Sequence, residues 1–359
     1  SSADRFLVDF AITQRNLRGR GQQLRFVIRA SSNRQEIDLR FTEPRFLGRN
    51  LAAGVEVFDV TNDFLEEAGF RSKRVGGAVT IGFPVTEFTA LQGRYALRQE
   101  EIEIPNINCN DPAVAFDPQT ASLCSQEGGR LTSALGYTFS WDRRNDPIEP
   151  TRGFDLRLSQ DFAGLGGDAK YLRTEFSGNT YYGIFKNVIA SGRLTAGYTQ
   201  AYGNDTVQLN DRFFKGANSF RGFDNAGLGP RVIQVDDSTG DVITKGRALG
   251  GNFYAIGAAE VSFPLGLPEQ YGILGSLFAE AGTVGILDDD FKFSSTTDDG
   301  DGTTTTLKVV DDLSLRAVVG VSIFWDSPFG PIRFDLAQPL AREEYDRTKS
   351  FQFNTRTRF

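Results

Sequence analysis

Hydrophobic and polar residues alternate with a period of two along almost the whole chain, which is the signature of half-buried β-strands. Phe6, Val8, Phe10 and Ile12 share one face, opposite Asp9 and Thr13. Leu24, Phe26 and Ile28 stand against Gln23, Arg25 and Arg29, and Ile37, Leu39 and Phe41 against Glu36, Asp38 and Arg40. The pattern returns at Phe154, Leu156 and Leu158 against Asp155 and Arg157, and at Ile332, Phe334 and Leu336 against Arg333 and Asp335. The spacing predicts 15 strands, near 5–15, 21–31, 35–43, 48–60, 72–84, 86–104, 129–143, 152–163, 168–183, 185–202, 247–265, 271–287, 312–326, 330–340 and 350–359. No segment shows helical periodicity.

The polar face is charged, with Arg and Asp or Glu alternating between neighbouring strands. A soluble sandwich would turn that face to water and pack the apolar one inside. A membrane barrel inverts the assignment, so that apolar residues meet lipid and charged ones line a wet interior. The number of strands, their continuation to the last residue and the disposition of the loops favour inversion. Loops rich in Asp, Gly, Ser and Thr are expected at every second connection. The others are expected to be short, as at Ser31-Ser32-Asn33 and Pro328-Phe329-Gly330. The expected fold class is therefore all-β, a transmembrane antiparallel β-barrel forming one domain over residues 1–359. Two long loops remain, at 203–246 and 287–311. The second, with its Asp, Gly and Thr runs, is expected to be mobile, low-complexity surface.

Composition agrees with this picture. The chain has 359 residues with 39 Gly, 31 Phe and 2 Trp, and a net charge of −7. An acidic balance gives no footprint for nucleic acid. No run of 18 apolar residues is present to form a transmembrane helix, and a mean hydropathy of −0.29 suits strands that are half polar. There is no histidine. That removes His-dependent triads, bases and metal ligands, and the chain is expected not to be an enzyme. With no initiator Met and no signal peptide, it is expected to be a mature or trimmed piece. Cys109 and Cys124 lie in one polar stretch, INCNDPAVAFDPQTASLCSQEGG, which suits a disulfide made in an oxidising compartment. A pair of free thiols is the alternative, and two isolated cysteines are a poor metal site.

The stretch FFKGANSFRGF (213–223), followed by the Gly-rich DNAGLGPR (224–231), gives the first of these long loops its chemistry. With it go GGNFYAIGAAEVSFPL (250–265), LFAEAGTVG (277–285), WDRRNDPIEPTRGFDLRL (141–158), WDSPFGPIRFDLAQPL (325–340) and SFQFNTRTRF (350–359). In these segments and their order the chain resembles the BamA family of outer-membrane assembly barrels. The resemblance covers essentially the whole chain. It implies a 16-stranded architecture of which this sequence begins at the second strand, and periplasmic POTRA domains outside it. It implies that the loop at about 203–246 folds into the lumen and presents Arg221, of the Arg221-Gly222-Phe223 motif, to Glu260 and Glu280. Both glutamates have polar-face parity by alternation alone. It further implies a terminal strand signal on Phe351, Phe353 and Phe359, at a seam between the first and last strands.

The function implied is an insertase of a Gram-negative outer membrane, working without ATP, metal or cofactor. Its partners would be outer-membrane lipids and lipopolysaccharide, unfolded outer-membrane clients, and accessory lipoproteins reached through the POTRA domains. The alternatives are a TamA-like assembly barrel, a two-partner secretion pore and, further off, a passive porin.

Overall fold

Strand-forming alternation produces one large antiparallel sheet. The computed structural model describes all residues except 1–6, 113, 115–116, 299–303, 328–329 and 355–359. In chain order the elements begin with β1 (Leu7–Leu17), β2 (Gln22–Ser31), β3 (Arg34–Glu43), β4 (Ala52–Phe64), β5 (Phe70–Pro84) and β6 (Thr89–Glu103). A short helix, α1 (Pro118–Cys124), precedes β7 (Gly128–Asp142), β8 (Arg152–Ala163), β9 (Tyr171–Phe185) and β10 (Val188–Ala201). Then come β11 (Arg231–Asp236), β12 (Val242–Ala248), β13 (Phe253–Pro264), β14 (Ile273–Gly285), β15 (Ser294–Asp298) and β16 (Thr304–Val310). The chain closes with β17 (Arg316–Ser327), β18 (Gly330–Ala341) and β19 (Phe351–Asn354).

Fifteen of these strands make the wall, in the order β1 to β10, β13, β14, β17, β18, β19. Among the described residues no pairing joins β1 to β19, which end the order. The faces are those of a membrane barrel. Val57, Leu135, Leu277 and Leu336 are more than half exposed, whereas Glu100, Glu280 and Asp335, at the other parity, are at most 2% exposed. Exposed apolar side chains against buried charges is the reverse of a soluble sheet, and it places lipid outside. Exposed aromatic residues gather near the strand ends, with Trp141, Tyr182, Phe185 and Trp325 at one rim and Phe162 and Tyr198 at the other. Those are the interfacial positions such rings favour.

The remaining four strands form a separate sheet, β12-β11-β16-β15, built from both long loops. The expectation of a mobile segment at 287–311 is therefore corrected. Thr304–Val310 pairs with Arg231–Asp236 on one side and with Ser294–Asp298 on the other. The alternation of TTTTLKVV outweighs its acidic surroundings once a partner strand is at hand. The long loops all leave the wall at one rim, as expected, but the tight turn at residues 32–33 lies at that same rim and not at the opposite one. Helix α1 is also unanticipated, because seven residues are too few to show a period. Its local signals are Asp117, whose side chain caps Gln119 N at 3.1 Å, and Pro118 at the first helical position. Cys109 and Cys124 form a disulfide across this segment, with Cα atoms 5.4 Å apart. Phe359 lies outside the described residues.

Candidate functional site

The register of the last wall strands sets the site. Glu260 on β13 stands opposite Phe278 of β14, and Glu280 of β14 stands opposite Ala258 and Val318. One strand further, Ser322 of β17 faces Asp335 of β18. All of these point away from the lipid face, so four adjacent strands present three carboxylates, a hydroxyl and an aromatic ring to one place in the lumen.

Arg221 enters that place from the loop between β10 and β13. Its Nε donates to Glu280 Oε1 at 2.7 Å, and its backbone N–H donates to Glu280 Oε2 at 2.8 Å. Its Nη2 donates to Glu260 Oε2 at 2.9 Å and its Nη1 to Ser322 Oγ at 3.3 Å. The third carboxylate, Asp335, is 3.8 Å from Nη1 and accepts from Ser322 at 2.6 Å. The guanidinium plane lies 3.5 Å from the Phe278 ring centroid, a cation–π contact. The ring has room because residue 320 is glycine, where a Cβ would run into it. Burial opposes the charge on Arg221, but Glu280, Glu260 and Asp335 together hold its guanidinium above its ordinary value. A planar fork with five donors suits such a ring of carboxylates far better than an ammonium would.

The two neighbours of Arg221 in the motif fix the loop against the wall. Gly222 has φ +81°, and a Cβ there would sit 2.8 Å from Val318 Cγ2, so both conformation and space call for glycine. Phe223 is fully buried beside Phe220, 5.0 Å between ring centroids, in an apolar cluster with Phe278, Val318 and Ala337. The carbonyl of Phe223 accepts from Gln352 Nε2 at 2.8 Å, which ties the loop to β19. Three backbone bonds reinforce the tie: Lys349 N to Gly222 O, Asp224 N to Arg347 O, and Arg347 N to Gly227 O.

The family resemblance singles out Arg221, Glu260 and Glu280, alternation adds the inward parity of the two glutamates, and the structure brings these three together. Ser322, Asp335, Phe278 and Gln352 are additions. The signal for Asp335 was its inward parity, since it alternates with Ile332 and Phe334. Phe351 and Phe353 sit apart from this cluster. They lie against Phe334, at 6.5 and 5.3 Å between ring centroids, and Phe351 is exposed on the lipid face of β19.

The Omp85 superfamily domain matches residues 16–359. The chain belongs to the Omp85 superfamily. A BamA outer-membrane protein assembly factor of Neorickettsia risticii is 29% identical over 352 residues, covering 97% of this chain and 42% of that protein. A sorting and assembly machinery component 50 homolog of Xenopus tropicalis is 26% identical over 265 residues, 73% of this chain and 52% of that one. This Omp85 chain thus spans about half or less of the curated relatives it matches. In fold it is similar to the crystal structure of Haemophilus ducreyi BamA lacking POTRA domains 1–3, with a TM-score of 0.75 over 97% of this chain and 66% of that one, at 20% identity. An Omp85 barrel of this kind is integral to an outer membrane.

Proposed function

We propose that this chain is the barrel domain of an assembly factor that folds and inserts client β-barrels into a Gram-negative outer membrane, without ATP. Residues 1–359 act as one barrel, and the loop at about 203–246 is a working part of its lumen. Arg221, Gly222 and Phe223, with Glu260 and Glu280, hold that loop in place. Phe351, Phe353 and Phe359 mark the last strand, where a client strand would pair. The observation that carries this reading is the bond between the loop and the last strand, from Gln352 to the carbonyl of Phe223. A passive pore needs no such link, whereas a barrel that works at the edge of β19 gains a means of holding that edge. Unpaired strand edges are templates for strand addition, which supplies the physical basis of client pairing.

The clients would be unfolded outer-membrane proteins. Outer-membrane lipids and lipopolysaccharide would surround the apolar band, and accessory lipoproteins would join through POTRA domains. Depletion of the protein in its host tests the reading. Loss of many unrelated outer-membrane barrels together is expected. Loss of a single exported protein, with the others intact, would assign the chain to secretion instead.

A further inference from the structure

Below the loop, on the side away from Glu260 and Glu280, a cavity of about 470 Å³ lies between the wall and residues 209–215. Five cationic side chains from β3, β5, β6 and β9 and two from the loop line it, against three carboxylates, Asp161, Glu175 and Asp211. Those carboxylates are already engaged. Asp161 takes Arg94 at 3.1 Å, Glu175 takes Arg173 at 2.7 Å, and Asp211 takes Arg130. Arg34 and Arg98 have glutamates of their own, Glu36 and Glu100, each at 2.9 Å. Glu100 is shared further with Arg130 and Thr132.

Three cations make no salt bridge among the described residues: Arg74 on the wall, and Arg212 and Lys215 on the loop, on which Glu100, the pair Asp288 and Asp311, and Glu175 act only at longer range. Arg212 donates to the carbonyls of Val207 and Leu249 and stacks on Phe291. Arg74 is poorly provided for, because its Nε is buried with no hydrogen-bond partner. Two residues away on the same face of β5, Ser72 Oγ is in the same condition, and that residue is only 2% exposed. Lys215 rests on aromatic faces and not in a salt bridge, its Nζ lying 3.6 Å from the Tyr254 ring centroid and 5.6 Å from that of Phe213. Buried donors and charges without partners carry a desolvation cost that an anion would relieve.

We propose that this cavity binds a phosphate-class oxyanion, held by Arg74 and Ser72 from the wall and by Lys215 from the loop. More than one positive charge outside a salt bridge suits a dianion better than a single carboxylate. A guanidinium fork, an ammonium and a hydroxyl are matched to its several oxygens. Entry is from the short-turn rim. Arg94, Asp161 and Glu175 also line a second space of about 740 Å³, which reaches Pro44, Asn50 and Pro84 near that rim. The bound ion would join loop to wall opposite the carboxylates around Arg221, giving the loop a second anchor that depends on a ligand.

The test uses the full chain in detergent, at fixed pH and ionic strength, with inorganic phosphate replacing chloride. Calorimetric titration is expected to show saturable phosphate binding, and phosphate is expected to raise the temperature at which the compact barrel is lost. Arg74→Gln and Lys215→Gln are each expected to weaken binding by about tenfold or more. Should Arg74→Gln fail to fold, Lys215→Gln, a change in the loop, decides alone. No phosphate-specific binding in the unaltered chain, or unchanged affinity in the variants, would overturn the proposal. A parallel titration with glycerol phosphate distinguishes sources. Tighter binding of the ester indicates a lipid headgroup and tighter binding of the free ion indicates soluble phosphate, and either supports the site.

Discussion

Glu280 serves three donors at once, the backbone and side chain of Arg221 and the guanidinium of Arg193 at 3.3 Å. Glu260 serves Arg221 and Ser276 and is less deeply buried. Removing a partner from a buried ion pair costs about 3–5 kcal/mol, because the charge left behind stays desolvated. Glu280→Ala is therefore expected to lower the heat stability of the barrel, read as the temperature at which the compact band disappears on unboiled gels. Glu260→Ala should lower it less, and equal losses would contradict the geometry. A second expectation concerns pH. Burial lowers Lys215 from 10.5 to about 8, with Glu175, Arg173 and Arg193 the charged groups that act on it. The unfolded chain then holds the extra proton between about pH 8 and 10.5, so this group makes stability rise with pH across that window. Its burial is a constant penalty at lower pH. Lys215→Met should raise stability at pH 7 and flatten the rise, as urea titrations at several pH values would show. The parity of Glu260 and Glu280 is legible in the sequence, since alternation alone turns them inward. Their convergence on an arginine 39 and 59 residues away is not, because only the register of neighbouring strands brings it about. Asp335, farther still along the chain, was hidden for the same reason.

At the scale of elements, the disulfide segment is a strut. Leu123 of α1 packs with Phe70, Ile102 and Ile104 of the wall and with Leu209 of the loop, and Gln126 accepts from Leu209 N at 2.9 Å. Closing this 15-residue separation stabilises by roughly 3 kcal/mol through the unfolded state. Cys109→Ser with Cys124→Ser is expected to make residues 104–127 the first site cut in limited proteolysis, and to loosen residues 209–214 with them. Cutting confined to other loops would argue against the strut. The wall strands were readable because each alternates by itself. The second sheet was not, because β15 and β16 are short and lie in an acidic, Thr-rich stretch, and the pairing of β16 with β11 joins loops far apart in the chain.

At the scale of the molecule, what the faces meet matters more than how apolar the chain is. Leu277 is on the lipid side, one residue from the buried Ser276. Leu277→Arg is expected to cost about 2–4 kcal/mol if the site is near the bilayer centre. Folding yield in vesicles measures this, and a neutral outcome would count against the inverted assignment. The alternation shows the two faces but not which is wet, and that decision came from strand number and loop disposition.

The outer sheet also carries a consequence for the order of events. β11 pairs with its near neighbour β12, but its other edge waits for β16, which lies beyond two wall strands. Closing so long a loop before β13 and β14 are in place would cost entropy with little return. Completion of the second sheet is thus a late product of folding. A wall still being completed would pass through a stage in which β11 keeps one edge unpaired, a template for strand addition until β16 arrives.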